Sequence, residues 1–132
     1  THSNCRAIAD SPRQLTDAQV RSITARGGVV GIAIHNGMLR GGTTSPSREE
    51  VSLDHVADHV MHVCDLAGDA AHVGIGSDLD GGYGREKTPR DLDTHRDLRK
   101  LAPILRERGL SETDVDGVMA ANWLRFWRTV LP

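Results

Sequence analysis

The eleven residues HVGIGSDLDGG, His72 to Gly82, decide the fold. The stretch opens as a short apolar run, delivers two aspartates one residue apart, Asp78 and Asp80, and then dissolves into glycine. His72 to Asp78 is too short for a helix and bounded by turn residues, which predicts a strand. An earlier stretch, VVGIAIH from Val29 to His35, has the same character, with β-branched residues on both parities as in a strand covered on both faces.

Helical patterns flank both runs. Thr16 to Arg26 begins with a capping residue, carries Val20 and Ile23 on one face and stops at Gly27-Gly28. A polar loop is expected from Asn36 to about Glu50. Ser52 then caps a helix over Leu53 to Ala67, with Leu53, Val56, Val60, Val63, Cys64 and Ala67 on one stripe and Gly68 at its end. After a Gly- and Pro-containing loop, a helix is expected from about Thr94 to Arg108, kinked or split by Pro103. The box SETD, Ser111 to Asp114, opens another helical segment, and the chain closes on NWLRFWRTVLP. In that last segment Trp123, Phe126, Trp127 and Val130 share one face, as in a helix docked onto a larger body.

Helices of ten or more residues alternating with short two-sided strands imply parallel strands joined by right-handed crossovers. Two strands, or three if Thr1-His2 ends another, leave long unpaired edges. The expectation is a piece of a larger α/β domain, in keeping with a chain that begins THSN without an initiator methionine.

The 132 residues carry 16 basic and 18 acidic side chains, interspersed, for a formal net charge of −2. That balance argues against nucleic acid as a partner. No apolar run approaches the roughly 20 residues needed to span a bilayer, and no leader opens the chain, so a soluble, cytoplasmic protein is expected. Free thiols are the economical reading of Cys5 and Cys64, with a single bridge between them as the alternative.

In parallel α/β architectures the chemistry lies at the carboxyl ends of strands, where Asp78 is expected. A carboxylate there is costly to desolvate without a metal, a cation or a substrate ammonium, unless Asp78 or Asp80 only caps the turn. An EF-hand is excluded because Pro89 stands where the twelfth-position acid belongs, and Gly74, Gly76 and Leu79 break the dinucleotide fingerprint. His2 is a candidate metal ligand or a solvated terminal histidine. Arg13, just ahead of a helix, is a carboxylate clamp or a surface arginine. His55, His59 and His62 share a helix face, but Val56 occupies the place of the glutamate in HExxH, so they are expected as boundary residues beside the apolar stripe. His35, ending its strand, is a candidate to line a pocket.

Taken together, THSNCRAI, SPRQLTDAQVRSITARGGVVGI, VSLDHVADHVMHVCDLAGDAAHVGIGSDLDGG and ERGLSETDVDGVMAANWLRFW resemble the membrane dipeptidase family of zinc metallopeptidases, peptidase family M19. The resemblance covers essentially the whole chain in order. It implies the C-terminal part of a single (β/α)8 TIM-barrel domain, residues 1–132 supplying about three βα units from the end of about the sixth strand. It further implies hydrolysis of dipeptides at two zinc ions bridged by a glutamate, with a homodimer as a possible assembly. On that resemblance His2 matches a histidine zinc ligand, Arg13 the arginine holding the substrate carboxylate, and Asp78 the acid acting on the substrate in proton transfer or in binding its amino group. Asp80 is expected only to shape the loop. The HxD pair, the bridging glutamate and the first histidine ligand have no counterpart in this sequence. The chain is therefore expected to be inactive alone, and the competing readings are hydrolysis of another small amide and a non-catalytic barrel remnant or interaction module.

Overall fold

The computed structural model describes residues 1–41 and 45–131. Residues 42–44 of the expected Asn36 to Glu50 loop, and Pro132, lie outside the described residues.

Two short strands, β1 (Val30–Ile32) and β2 (Val73–Ile75), pair in parallel with Val30 opposite Val73 and Ile32 opposite Ile75. Ladder bonds run on past the strands: Gly76 N donates to Ile32 O and Ile34 N to Ser77 O, both near 3 Å. The strands expected over Val29–His35 and His72–Asp78 are thus shorter, with ladder bonding ending at Ile34 and Ser77 and Asp78 following the last paired residue in a left-handed turn. The expected third strand is represented by an extended segment, Thr1 to Asn4, whose Ser3 N–H donates to Gly31 O at 3.0 Å.

Helices pack against one face of this pair. Helix α1 (Asp17–Thr24) is capped by a reciprocal Thr16–Gln19 box, and its exit passes through Gly27 at φ +76°. Helix α3 (Leu53–Ala67) buries Leu53, Val56, Val60 and Val63 completely among Val20, Ile32, Val73 and Leu105. Fully burying each such side chain is worth about 1.5–3 kcal/mol. Gly68, at φ +85°, ends the helix as expected.

One local expectation needed correction, and two others gained detail. The polar loop after β1 contains a short helix, α2 (Asn36–Leu39), and a 3-10 turn at Arg48–Glu50, because His35 and Ser47 provide N-caps. The helix expected from Thr94 to Arg108 is split into a 3-10 segment, His95–Lys100, and α4 (Leu101–Glu107). Pro103 has no N–H to give the Arg99 carbonyl, so continuous α-helical bonding through this stretch is impossible. After α5 (Glu112–Asp116), capped by Ser111 with Asp114, a π-helical turn at Gly117–Ala121 leads into α6 (Asn122–Val130). That widened turn delivers the buried Asn122 side chain, whose Nδ2 donates to the Ala70 and Val73 carbonyls at 2.7 and 2.8 Å.

The opposite face of the strand pair is lined by glycine. A Cβ at Gly74 would lie 2.6 Å from Trp123 Nε1, and one at Gly31 would meet the Thr1 carbonyl and, at 2.9 Å, the Trp123 ring. Glycine there lets the indole lie flat on the backbone and donate to Ile75 O at 3.0 Å. The expected aromatic face is thereby divided. Trp123 stacks on Trp127 at 6.0 Å and covers the strands, while Trp127 and Val130 are 41% and 52% exposed.

Cys5 and Cys64 are free and buried in separate elements. Burial is the main reason their thiols are pushed up to about 12 and about 11. Among the described residues no helix is long and apolar enough to cross a membrane.

Candidate active site

The strands end together, and the residues that follow them make the candidate site. At the end of β2 the backbone turns sharply: Asp78 and Asp80 have φ of +57° and +72°. Aspartate is among the few residues that adopt this left-handed conformation at modest cost. The turn closes with Gly81 N donating to Asp78 O at 3.0 Å, and a Cβ at Gly81 would sit 2.5 Å from Asp78 Oδ1. Glycine at 81 therefore leaves the room that the Asp78 carboxylate occupies. Asp80 is exposed and borders a neighbouring cavity of about 230 Å³ with Leu79, Tyr83 and Leu92.

At the end of β1, His35 takes the N-cap of α2, its Nδ1 accepting from Gly37 N–H at 3.1 Å. Tyr83, from the loop after β2, meets the imidazole edge-on, with ring centroids 4.8 Å apart and an interplanar angle of 85°. The Tyr83 hydroxyl donates to Ser77 O at 3.5 Å. Burial, followed by the Asp78 carboxylate, pushes this phenol up to about 12. Burial also lowers the His35 pKa, with Lys87 and Arg13 acting the same way and Asp78 opposing them. Asp78, Arg13 and Lys87 thus lie within electrostatic reach of His35, and Asp78 within reach of Tyr83.

His2 and Arg13 meet directly. The Arg13 guanidinium donates to the His2 carbonyl at 3.4 Å, and Ser3 Oγ donates to Arg13 O at 3.0 Å. The His2 ring is exposed, and its Nδ1 is 3.0 Å from Thr1 Oγ1. Beneath this pair a polar clasp went unnoticed in the sequence. Asn4 and Gln14, both buried, join each other through Asn4 N–H to Gln14 Oε1 at 2.9 Å and both donate to Met38 O. An asparagine in a polar THSN carries no periodicity to reveal this role.

The histidines of α3 require a correction. His55 and His62 are half-buried, capping Ser52 N–H and contacting Asp17 at 2.9 Å respectively, as boundary residues would. His59 is instead 0% exposed. Its Nδ1 accepts from Cys5 N–H at 3.2 Å and its Nε2 lies 3.1 Å from Leu39 O, which fixes the neutral tautomer with Nε2–H donating. Desolvation lowers its pKa to about 4. It is a structural strut between the N-terminal segment, α2 and α3.

Among the described residues no three His, Cys, Asp or Glu side chains converge in a way that would hold a metal ion.

The chain matches the model of the family described as membrane dipeptidase (peptidase family M19) over residues 1–131. It is 35% identical over 98% of its length to a dipeptidase of Clonostachys rogersoniana, verJ, covering 31% of that protein. An uncharacterised Klebsiella pneumoniae protein from the pqqA 5′ region is also 35% identical, again over 98% of this chain and over 45% of its own length. Among solved structures, a metallopeptidase from Rhodobacter sphaeroides bound to a phosphinate mimic of the dipeptide L-Ala-D-Ala superposes with a TM-score of 0.84 at 30% identity, over 97% of this chain and 34% of that one. A dipeptidase of family M19 gives 0.80 at 32% identity, over 93% and 34%. The chain spans about a third to under a half of the length of these proteins. Its two strands and outer helices are accordingly part of a barrel, and the chain belongs to the membrane dipeptidase family, peptidase family M19.

Proposed function

We propose that this chain contributes the substrate-gripping part of a metal-dependent dipeptidase that cleaves dipeptides with free termini. The observation that carries the reading is that a guanidinium and a carboxylate both act on His35, which follows the first strand: Arg13, whose guanidinium donates to the His2 carbonyl, and Asp78, immediately after the last ladder bond. A dipeptide is a zwitterion with its two charges one peptide unit apart. A guanidinium offers paired donors to its carboxylate, and a carboxylate takes its ammonium. Two fixed charges of opposite sign would thus select both the free ends and the length.

Family membership supports hydrolysis, and the Rhodobacter sphaeroides relative's dipeptide mimic supports the substrate class. We extend the reading to zinc, with His2 as one ligand. One imidazole cannot complete such a site, so no chemical step is assigned to a metal from these residues.

The reading is tested on the protein expressed from its native gene, with hydrolysis of L-Ala-D-Ala and L-Ala-L-Ala followed by amino-acid release, beside the same dipeptides acetylated or amidated. Cleavage confined to unblocked dipeptides is expected. No cleavage of any, in a protein with bound zinc, would leave a non-catalytic member of the family.

A further inference from the structure

His35 ends β1 beside Asp78, and no residue has been assigned to its free nitrogen. Its Nδ1 is committed as acceptor to Gly37 N–H, so the ring proton resides on Nε2. Among the described residues no acceptor bonds that N–H. Tyr83 holds the ring edge-on, which restricts rotation about the side chain and keeps Nε2 aimed in one direction. Burial, with the Lys87 and Arg13 cations nearby, favours the neutral ring over the charged one in spite of Asp78. A half-buried donor fixed in direction, with no partner among the described residues, is a preorganised hydrogen-bonding group awaiting a ligand.

Its partner must be an acceptor. The ammonium end of a dipeptide is therefore excluded, which leaves the terminal carboxylate or the peptide carbonyl. Arg13 directs one of its N–H groups to the His2 carbonyl, so a carboxylate gripped by the remaining donors keeps an oxygen lone pair to spare.

We propose that His35 is a substrate-binding residue whose Nε2–H donates to the carboxylate of the bound dipeptide beside the Arg13 guanidinium. This rests on the dipeptidase reading for the nature of the ligand, and its test does not rest on turnover. Two substitutions separate the ring's tasks. His35→Asn keeps a good acceptor for the Gly37 N–H, since asparagine is a preferred N-cap, but is too short to place a donor where Nε2–H stands. His35→Gln extends an amide N–H to about that distance.

The experiment is calorimetric titration of the purified native protein and both variants with N-acetylglycine, which has the carboxylate and no ammonium, and with N-acetylglycinamide, which has neither. About a tenfold loss of N-acetylglycine affinity in His35→Asn is expected, as for a hydrogen bond to a charged group. Recovery to within about threefold of wild type is expected in His35→Gln, and N-acetylglycinamide should bind all three proteins alike. Equal N-acetylglycine binding by wild type and His35→Asn overturns the proposal. A parallel loss for the amide, failure of His35→Gln to recover, or no N-acetylglycine binding by wild type would also overturn it. Carboxylate binding that depends on His35 in a protein that cleaves no dipeptide would uphold this inference and remove the dipeptidase reading.

Discussion

The buried side chain of Asn4 satisfies both backbone groups of Ala33: Oδ1 accepts from Ala33 N–H at 2.7 Å and Nδ2 donates to Ala33 O at 3.0 Å. One amide thereby does the work of a neighbouring strand on the edge of the first strand that does not face β2. It fixes the N-terminal segment, and with it His2, against the end of β1. Asn4→Ala would leave the Ala33 N–H buried without a partner, and it should lower stability by about 2–4 kcal/mol. Urea denaturation of the native protein and the variant measures this.

His59 makes the fold sensitive to acid. Its folded pKa of about 4 lies below the ordinary 6.5, so the folded state refuses a proton that the unfolded chain accepts. The stability this represents is fully present above pH 6.5 and is lost as pH falls from 6.5 towards 4, by about 3 kcal/mol at most. The hydrogen bond to the Leu39 carbonyl and then Asp58 oppose the shift, and His62 and His55 reinforce it. Carboxylates such as Asp97, held well below the usual range by Lys100 and Thr94, lose their contribution in a lower window. A thermal midpoint that declines between pH 6.5 and 4.5 in the native protein, and declines less in His59→Gln, is the expected result.

The order of elements was legible because periodicity and glycine stops survive in any context: α1, β1, α3 and β2 all stand where their patterns predict. The position of Asp78 just beyond a strand was legible for the same reason, although β2 itself stops at Ile75 and Asp78 begins the turn. What escaped was polar and non-periodic. Asn4, Gln14 and Asn122 serve backbone carbonyls that are distant in sequence, and nothing local marks them. His59 looked like its neighbours His55 and His62 because three histidines spaced by four and three straddle the edge of an apolar stripe. Only packing distinguishes the one that Cys5 and Leu39 enclose.

Gly74 and Trp123 form an interlocking pair in which the missing Cβ makes space for the indole. Gly74→Ala should cost about 1–3 kcal/mol through forced displacement of the ring. In a Trp123→Ala background the same substitution should cost little, giving a coupling of about 0.5–3 kcal/mol in a double-mutant cycle. Additive losses would show that the two residues do not oppose one another.

The left-handed backbone at Asp78 predicts an asymmetry between its substitutions. Asn tolerates this conformation, so Asp78→Asn should leave stability within about 0.5 kcal/mol of wild type, whereas Asp78→Val should lose about 1–3 kcal/mol to strain alone. Chemical denaturation of both variants settles the comparison, and it makes Asp78→Asn the clean probe of charge.

That probe supplies the most direct measurement. Wild type, Arg13→Ala and Asp78→Asn, each expressed from the native gene, are assayed for binding and cleavage of L-Ala-D-Ala, its C-terminal amide and its N-acetyl derivative. The predicted result is reciprocal. Arg13→Ala weakens the parent dipeptide by about ten- to a hundredfold yet leaves the amide unchanged, and Asp78→Asn weakens the parent similarly yet leaves the N-acetyl compound unchanged. Losses that ignore which end is blocked would contradict the assignment of Arg13 to the carboxylate and Asp78 to the ammonium.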